Sequence, residues 1–367
     1  MNMRTIDESP ILLRQLSLST AFYLVVTNSF LLGMNIVYLV DQHPCLLAEQ
    51  KKETDKIYGC ILDGFYEGPN IWWQLADRLN ESGYIVRHVM TVKDVKPGFS
   101  CIVITNMRLD EMQYVVDHKE FFEPSKLIFM MWEPPSVNPY NYYYKLHQFF
   151  GKILTWCDDI VDNKKYVKLF YPRQQLCMVH DIVPFSKKKL CCMIASFLES
   201  TYPGELYTER LDTIEYFEKH EPNAFDLYGS RGWVEKKLKN YKGSISKKIE
   251  ILKKYRFCIC YENAKDINGY ITEKIFDCFH ACCVPVYWGA NNVEQYIPQS
   301  CFIDRRRFVN NAELYAFLKN MSEAEYAAYL EAIEDYLNFD PRAQLFSVEN
   351  FITNVCQVIL AIAPIES

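Results

Sequence analysis

The chain reads as an α/β protein built from two successive parallel-sheet units. Three observations predict this. Short apolar runs rich in Val, Ile, Phe and Cys alternate with segments of helical period, as strand-helix-strand units do. The alternation runs from about Lys56 to Tyr171 and begins again near Lys189. A length of 367 residues, half of them hydrophobic and 15% aromatic, suits two domains, each with its own core.

The first series opens with a predicted strand over Ile57–Leu62, followed by the loop GFYEGPN. Trp72–Ser82 has helical spacing and ends at Gly83. Ile85–Met90, Cys101–Thr105 and Lys126–Met131 follow as strands, the last stopped by Pro134-Pro135. The second series has strands over Leu190–Ala195 and Ala224–Tyr228, the latter entering a GSRG turn. Between them Gly204–His220 is helical, with Leu206, Leu211, Ile214 and Phe217 on or near one face. The lysine-rich run from Glu235 to Lys254 predicts a solvated helix around Ile245, Ile249 and Leu252. It lacks the interleaved aromatics of a nucleic-acid surface, and a net charge of -6 argues the same way. From about Ala312 the chain is helical. The domain boundary is expected between Tyr171 and Lys187. This divides the chain into an extension (1–55), a first domain (56–180) and a second domain with C-terminal helices (181–367).

Gln15–Val40 carries no charged residue, and Ala21–Val40 reaches the ~20 residues that span a bilayer. It follows Arg4 and Arg14, as a signal anchor does. Thr27, Asn28, Ser29 and Asn35 interrupt it, and no small-residue cleavage site stands out. Two readings stay open: a membrane anchor over about 18–40, or a hydrophobic helix packed on the protein. The 14 cysteines lie mostly inside apolar runs such as Cys191-Cys192, Cys258, Cys260, Cys278 and Cys282-Cys283. The spacing fits no zinc ribbon or finger, so they read as packing residues in a reducing environment.

The most informative stretch is Tyr255–Phe308. Arg256–Tyr261 is a strand, Asn268-Gly269 a tight turn, Thr272 a helix cap and Glu273–Phe279 a helix. Ile275, Cys278, Phe279 and Cys282 should face the core. Val284–Tyr287 is the next strand, closed by Gly289. Such a unit holds its ligand at the carboxyl end of the first strand, beside free helix N–H groups that favour a diphosphate. Glu262, Asn263, Tyr270, Glu273 and Lys274 cluster there. Lys274 can neutralise diphosphate charge, Glu262 or Glu273 can accept from ribose or sugar hydroxyls, and Tyr270 can stack on or bond to the donor. On residue types alone, Glu273-Lys274 as a helix-start charge pair and Glu262 as a solvated loop residue are equally good readings.

The run ENAKDINGYITEKIFDCFHACCVPVYWG resembles the signature of the α1,3/4-fucosyltransferases, glycosyltransferase family 10. The family's pattern is EN, a short spacer, Y-[IV]-T-E-K-[IL], VP-[VI]-Y-x-G and a later P-x-x-[SA]-F-[IV]. Pro298–Ile303 is similar to the last element, with one cysteine inserted. Asp226–Gly232 resembles the family's D-[LV]-[YF]-G-R-G with Ser230 inserted. Met131-Trp132-Glu133-Pro134-Pro135 resembles the segment that carries its catalytic carboxylate. Trp156–Asp159 and Tyr171-Pro172 fit the bacterial style of that region. The resemblance covers roughly 56–308. It departs from the family after Ser196, where an asparagine is usual and Phe197-Leu198-Glu199-Ser200 stands instead. Arg210 falls where a family arginine is expected, with a structural role equally open.

The resemblance implies a GT-B fold, two Rossmann-like domains facing across a cleft. It implies GDP-β-L-fucose as donor and transfer with inversion to a glycan hydroxyl, α1,3 to the GlcNAc or Glc of a lactosamine-type unit. Glu133 would be the general base, with Arg231 and Lys274 stabilising the GDP leaving group. No metal is expected to be obligatory, a divalent ion being at most stimulatory. Asp158-Asp159 has the wrong spacing for a metal-binding DxD motif and reads as a solvated turn. The expected location is membrane-associated through the N-terminal segment, with cytoplasmic, or Golgi in a eukaryote, as alternatives. Two rival readings are a GT-B enzyme using another nucleotide sugar and an inactive carbohydrate-binding relative.

Overall fold

The computed structural model describes residues 35–41, 71–229 and 231–365. Two parallel sheets form its frame. The first holds β1 (Ile36–Val40), β2 (Ile85–Val89), β3 (Cys101–Thr105), β4 (Leu127–Met131), β5 (Lys152–Thr155) and β6 (Tyr166–Lys168) in the order β2-β1-β3-β4-β5-β6. The second holds β7 (Lys189–Ile194), β8 (Phe225–Tyr228), β9 (Tyr255–Tyr261), β10 (Val284–Trp288) and β11 (Ile303–Asp304) in the order β11-β10-β9-β7-β8. Central strands read as unbroken apolar runs, such as Leu127–Met131, because a parallel sheet is covered on both faces.

Helices α1 (Ile71–Glu81) and α2 (Leu109–Asp117) belong to the first unit. Helices α3 (Tyr207–His220), α4 (Lys248–Leu252), α5 (Glu273–His280), α6 (Asn311–Asn320) and α7 (Glu323–Phe339) belong to the second. The last helix, α8 (Val348–Ile362), returns to the first. Its Phe351, Ile352, Val355 and Ile359 pack with Val37, Leu39, Leu75, Leu79 and Val103. The chain therefore crosses between units twice, and the two crossings touch where the Arg173 N–H donates to the Phe346 carbonyl at 2.6 Å.

Three expectations change. Ile36–Val40, taken as the end of an apolar N-terminal segment, is a fully buried strand between β2 and β3. Its β-branched and aromatic composition, IVYLV, suits a pleated surface better than a lipid-facing helix. No helix among the described residues is long and apolar enough to cross a membrane. The rest of the candidate anchor and the strand expected over Ile57–Leu62 lie outside the described residues. The first unit thus draws on residues before 56 and after 347, which the sequence divides differently. The lysine-rich run is mostly not helical: only Lys248–Leu252 is α-helix. Lys237 and Gly243 take positive φ, and Asn240–Lys242 runs beside β8, where Leu227 bonds to Asn240 and Lys242. Backbone pairing with the sheet edge there outweighs helix propensity. The described cysteines are free thiols, buried except Cys177.

Candidate active site

The carboxyl end of β9 and the start of α5 are tied together by one carboxylate. Glu262 has no exposed surface. Its Oε1 accepts from the Thr272 N–H at 2.8 Å, and its Oε2 accepts from the Thr272 hydroxyl at 2.8 Å and from Lys274 Nζ at 3.0 Å. Thr272 is the helix cap, as expected. Glu262 is therefore neither a solvated loop residue nor free for a sugar hydroxyl; it fixes the loop and the Lys274 ammonium. Lys274 keeps 24% of its side chain exposed. Burial lowers its pKa, but the charges of Glu262 and Glu273 reverse this and hold it above the ordinary lysine range. Glu273 lies 3.8 Å from Lys274 Nζ. Burial alone would raise its pKa, but Lys274 and Lys248 bring it down to about 2, so the carboxylate stays ionised.

Arg210, on α3, is buried, and its Nη2 lies 2.7 Å from the Tyr261 and Glu262 carbonyls and 3.0 Å from Asn263 Oδ1. Its role is to hold the β9 end. Asn263 is correspondingly engaged, and its carbonyl accepts from the Ser136 hydroxyl of the first domain at 3.0 Å. Tyr270 has a buried ring, 4.5 Å from Trp156 and 6.1 Å from Tyr171 between centroids. It lies in an aromatic seam between the domains, not as an open stacking face. Arg231 begins a short 3-10 turn, Arg231–Lys236, against the end of β7. Gly229, at φ +145°, allows that approach, since a Cβ there would sit 1.7 Å from the Ala195 carbonyl oxygen. Trp233 Nε1 donates to the same oxygen at 2.7 Å.

Glu133 follows β4 on the facing side. Its N–H donates to Asn106 Oδ1 at 2.9 Å and its carbonyl accepts from Asn141 Nδ2 at 3.0 Å. The preceding carbonyl, of Trp132, accepts from Trp156 Nε1 at 2.9 Å and from the Tyr171 hydroxyl. Burial raises the Glu133 pKa, Lys274 opposes this, and Glu273 and Asp41 add to it. Glu133 thus shares a field with Lys274 and Glu273 across the cleft.

Asp158 and Asp159 open a short 3-10 turn in which Asp159 is exposed, as expected, but Asp158 is half-buried and engaged. Asp158 accepts from Asn292 Nδ2 at 2.7 Å and from the Tyr296 hydroxyl at 2.8 Å, and pairs with Lys168. Asp159 accepts from Asn268 Nδ2 at 2.8 Å. Both hold the second domain against the first, a relationship invisible to local spacing. No cluster of three or more potential metal ligands occurs among the described residues.

Sequence reasoning did not find the pocket of about 240 Å³ beside the β7 end, lined by Ser196, Phe197, Glu199, Tyr207, Thr208 and Trp233 among others. Its signal was the FLES stretch noted only as a departure from pattern.

Residues 184–364 match the family model described as "Glycosyltransferase family 10 (fucosyltransferase) C-term". This second domain with its C-terminal helices belongs to glycosyltransferase family 10. The match holds the Arg231 turn, Glu262, Asn263, Tyr270, Glu273 and Lys274, while Glu133 lies before it. The chain is 31% identical over 110 residues to the alpha-(1,3)-fucosyltransferase FucT of Helicobacter pylori, covering 29% of this chain and 23% of that protein. It is 34% identical over 164 residues to the 4-galactosyl-N-acetylglucosaminide 3-alpha-L-fucosyltransferase 9 of Mus musculus, covering 44% and 41%. In both cases the match spans less than half of the relative's length. Among solved structures, an α1,3-fucosyltransferase superposes with a TM-score of 0.52 at 15% identity, covering 89% of this chain and 90% of that one. Anabaena Alr3699/HepE with UDP and glucose gives 0.53 at 11%, covering 89% and 100%. These likenesses establish the chain as a GT-B fold.

Proposed function

We propose that this protein is an inverting fucosyltransferase that moves L-fucose from GDP-β-L-fucose to a glycan hydroxyl, α1,3 to the GlcNAc or Glc of a lactosamine-type acceptor. The observation that carries the reading is that the loop after Glu133 meets the end of β9, where the Ser136 hydroxyl donates to the Asn263 carbonyl at 3.0 Å, so a first-domain carboxylate faces the elements that carry Lys274 and Glu273; the charge of Lys274 lowers the Glu133 pKa and that of Glu273 raises it. Inversion at the anomeric carbon is a single in-line displacement: the acceptor oxygen forms the new bond as the bond to the diphosphate oxygen breaks. Glu133 takes the acceptor proton; its raised pKa makes it a better proton acceptor than a solvent-exposed glutamate. The departing GDP carries growing negative charge. Lys274, the positive end of α5 and the arginine of the Gly229–Gly232 turn meet that charge. Glu273, held ionised, accepts from ribose or fucose hydroxyls, a role Glu262 cannot share because its oxygens are occupied. The pocket beside Ser196 and Trp233 receives the nucleoside.

The test is release of GDP from GDP-fucose in the presence of N-acetyllactosamine and a panel of other acceptors, with wild type and Glu133→Gln. Wild-type turnover and its loss in the variant are expected. Turnover with another nucleotide sugar and none with GDP-fucose overturns the donor assignment, and no turnover with any donor overturns the enzyme reading.

A further inference from the structure

The segment directly after Glu133 carries tyrosines that the chemistry above leaves unused. Pro139–Tyr144 reads PYNYYY. Tyr140, Tyr143 and Tyr144 are 38%, 51% and 52% exposed. A single exposed aromatic needs no explanation, but three exposed tyrosines within five positions are a dense aromatic surface. Tyr140 and Tyr143 are neighbours, with ring centroids 5.6 Å apart.

The patch is not loose. Asn141, at its centre, has no exposed surface. Its Oδ1 accepts from the Met107 N–H at 2.7 Å, and its Nδ2 donates to Asn106 Oδ1 at 2.8 Å and to the Glu133 carbonyl at 3.0 Å. Its own carbonyl accepts from His147 Nε2 at 2.9 Å. One asparagine therefore fixes both the Glu133 backbone and the tyrosine segment, so the two hold a set geometry. Tyr142 turns the other way and packs on the aromatic seam between the domains, whose buried members include Trp156, Tyr171 and Tyr270. Its hydroxyl is buried and has no hydrogen-bond partner among the described residues.

Rigid tyrosines with exposed faces suit a pyranose. The ring C–H groups of a sugar form an apolar face, its hydroxyls form a polar rim, and tyrosine offers both kinds of surface at little entropic penalty. Aliphatic side chains would suit an apolar peptide better. We propose that Tyr140, Tyr143 and Tyr144 form the platform for an uncharged pyranose of the acceptor glycan. The proposal rests on Glu133 being the base that faces the acceptor.

The test uses the full chain as wild type, the Tyr143→Ala/Tyr144→Ala double variant and Tyr140→Ala. Fucosyl transfer to N-acetyllactosamine gives the acceptor KM, GDP-fucose hydrolysis by water gives donor turnover without acceptor, and calorimetry gives the GDP Kd. Both variants should raise the acceptor KM by about tenfold, the scale of one lost stacking contact. Hydrolysis and the GDP Kd should stay at wild-type values. An unchanged acceptor KM in both variants overturns the platform. If wild type turns over no donor, saturation-transfer NMR with N-acetyllactosamine decides the platform separately. Ring-proton transfer that disappears in the double variant supports it, and transfer equal in both proteins, or absent from wild type, overturns it.

Discussion

Asp158 of the first domain accepts a hydrogen bond from the Tyr296 hydroxyl of the second at 2.8 Å. The same carboxylate meets Asn292 Nδ2, while Asn292 Oδ1 accepts from the Gly269 N–H at 2.8 Å. The Asp158 N–H in turn donates to the Asn268 carbonyl at 3.1 Å. A first-domain aspartate thus sets the loop that leads into Thr272 and Lys274. Asp158→Asn should lose charge-assisted bonds of about 1.5–3 kcal/mol in total stability. The expected result is a lower melting temperature and weaker GDP binding, read by calorimetry of both. An unchanged Tm shows that the bolt bears no load in solution.

Lys274 and Glu262 can be separated by a double-mutant cycle. Lys274→Met alone leaves the fully buried Glu262 carboxylate without its cation, a change of roughly 3–5 kcal/mol for a buried pair. The 24% exposure of Lys274 puts the expectation below that range, at about 2–3 kcal/mol. Adding Glu262→Gln removes the orphaned charge, so much of the stability should return. GDP binding should not return, because the ammonium is still missing. Denaturant midpoints and GDP titrations of the four proteins check this, and recovery of GDP affinity in the double variant removes Lys274 from the donor site.

The pH dependence follows from two carboxylates pushed apart. Burial raises the Glu133 pKa, so the folded state holds that proton to higher pH than the unfolded chain. Its contribution to stability is present below the unfolded pKa and is lost as pH rises through the folded one. Glu133→Gln should therefore be slightly more stable than wild type at neutral pH. As a base, Glu133 works only when ionised, so the acid limb of kcat/KM should lie above the ordinary glutamate range. Glu133→Gln should remove that limb and reduce kcat by roughly 10²–10⁴. Glu273 behaves oppositely: at about 2 in the folded state, its contribution is present above the unfolded glutamate pKa and fades only as pH falls toward 2. A pH–rate profile and acid-unfolding curves of wild type and Glu133→Gln check both signs.

How much of this was legible in the sequence depended on whether the decisive contact was local. The Thr272 cap, the buried face of α5 and strand β3 follow from residues within a turn or a strand, and the sequence places them correctly. The role of Glu262 was not legible, because an acidic residue after a strand is normally solvated. Only the fold brings Thr272 and Lys274 onto its two oxygens. Asp158 was misread for the same reason, its partners being Asn292 and Tyr296, more than a hundred residues away. Ile36–Val40 was misread because apolar composition does not separate a membrane segment from an interior strand of a parallel sheet.

Gly269 is the sharpest structural test of how the domains meet. Its φ is +81°, and a Cβ there would lie 2.3 Å from the Trp156 carbonyl oxygen. That oxygen belongs to the first domain, and it also accepts from Lys168 Nζ at 2.6 Å. An alanine must therefore strain its backbone and push the two domains apart. Gly243 supplies the comparison: its φ is +102°, but nothing lies within 4 Å of its Cβ position. Gly243→Ala should show the backbone strain alone, roughly 1–2 kcal/mol. Gly269→Ala should lose that and the interdomain contact together, with a clearly larger drop in Tm and a loss of GDP binding through the displaced Thr272 and Lys274. Equal Tm shifts for the two variants would mean that the domains yield at this contact without penalty, and that the loop before α5 is set by its own turn rather than by the facing domain.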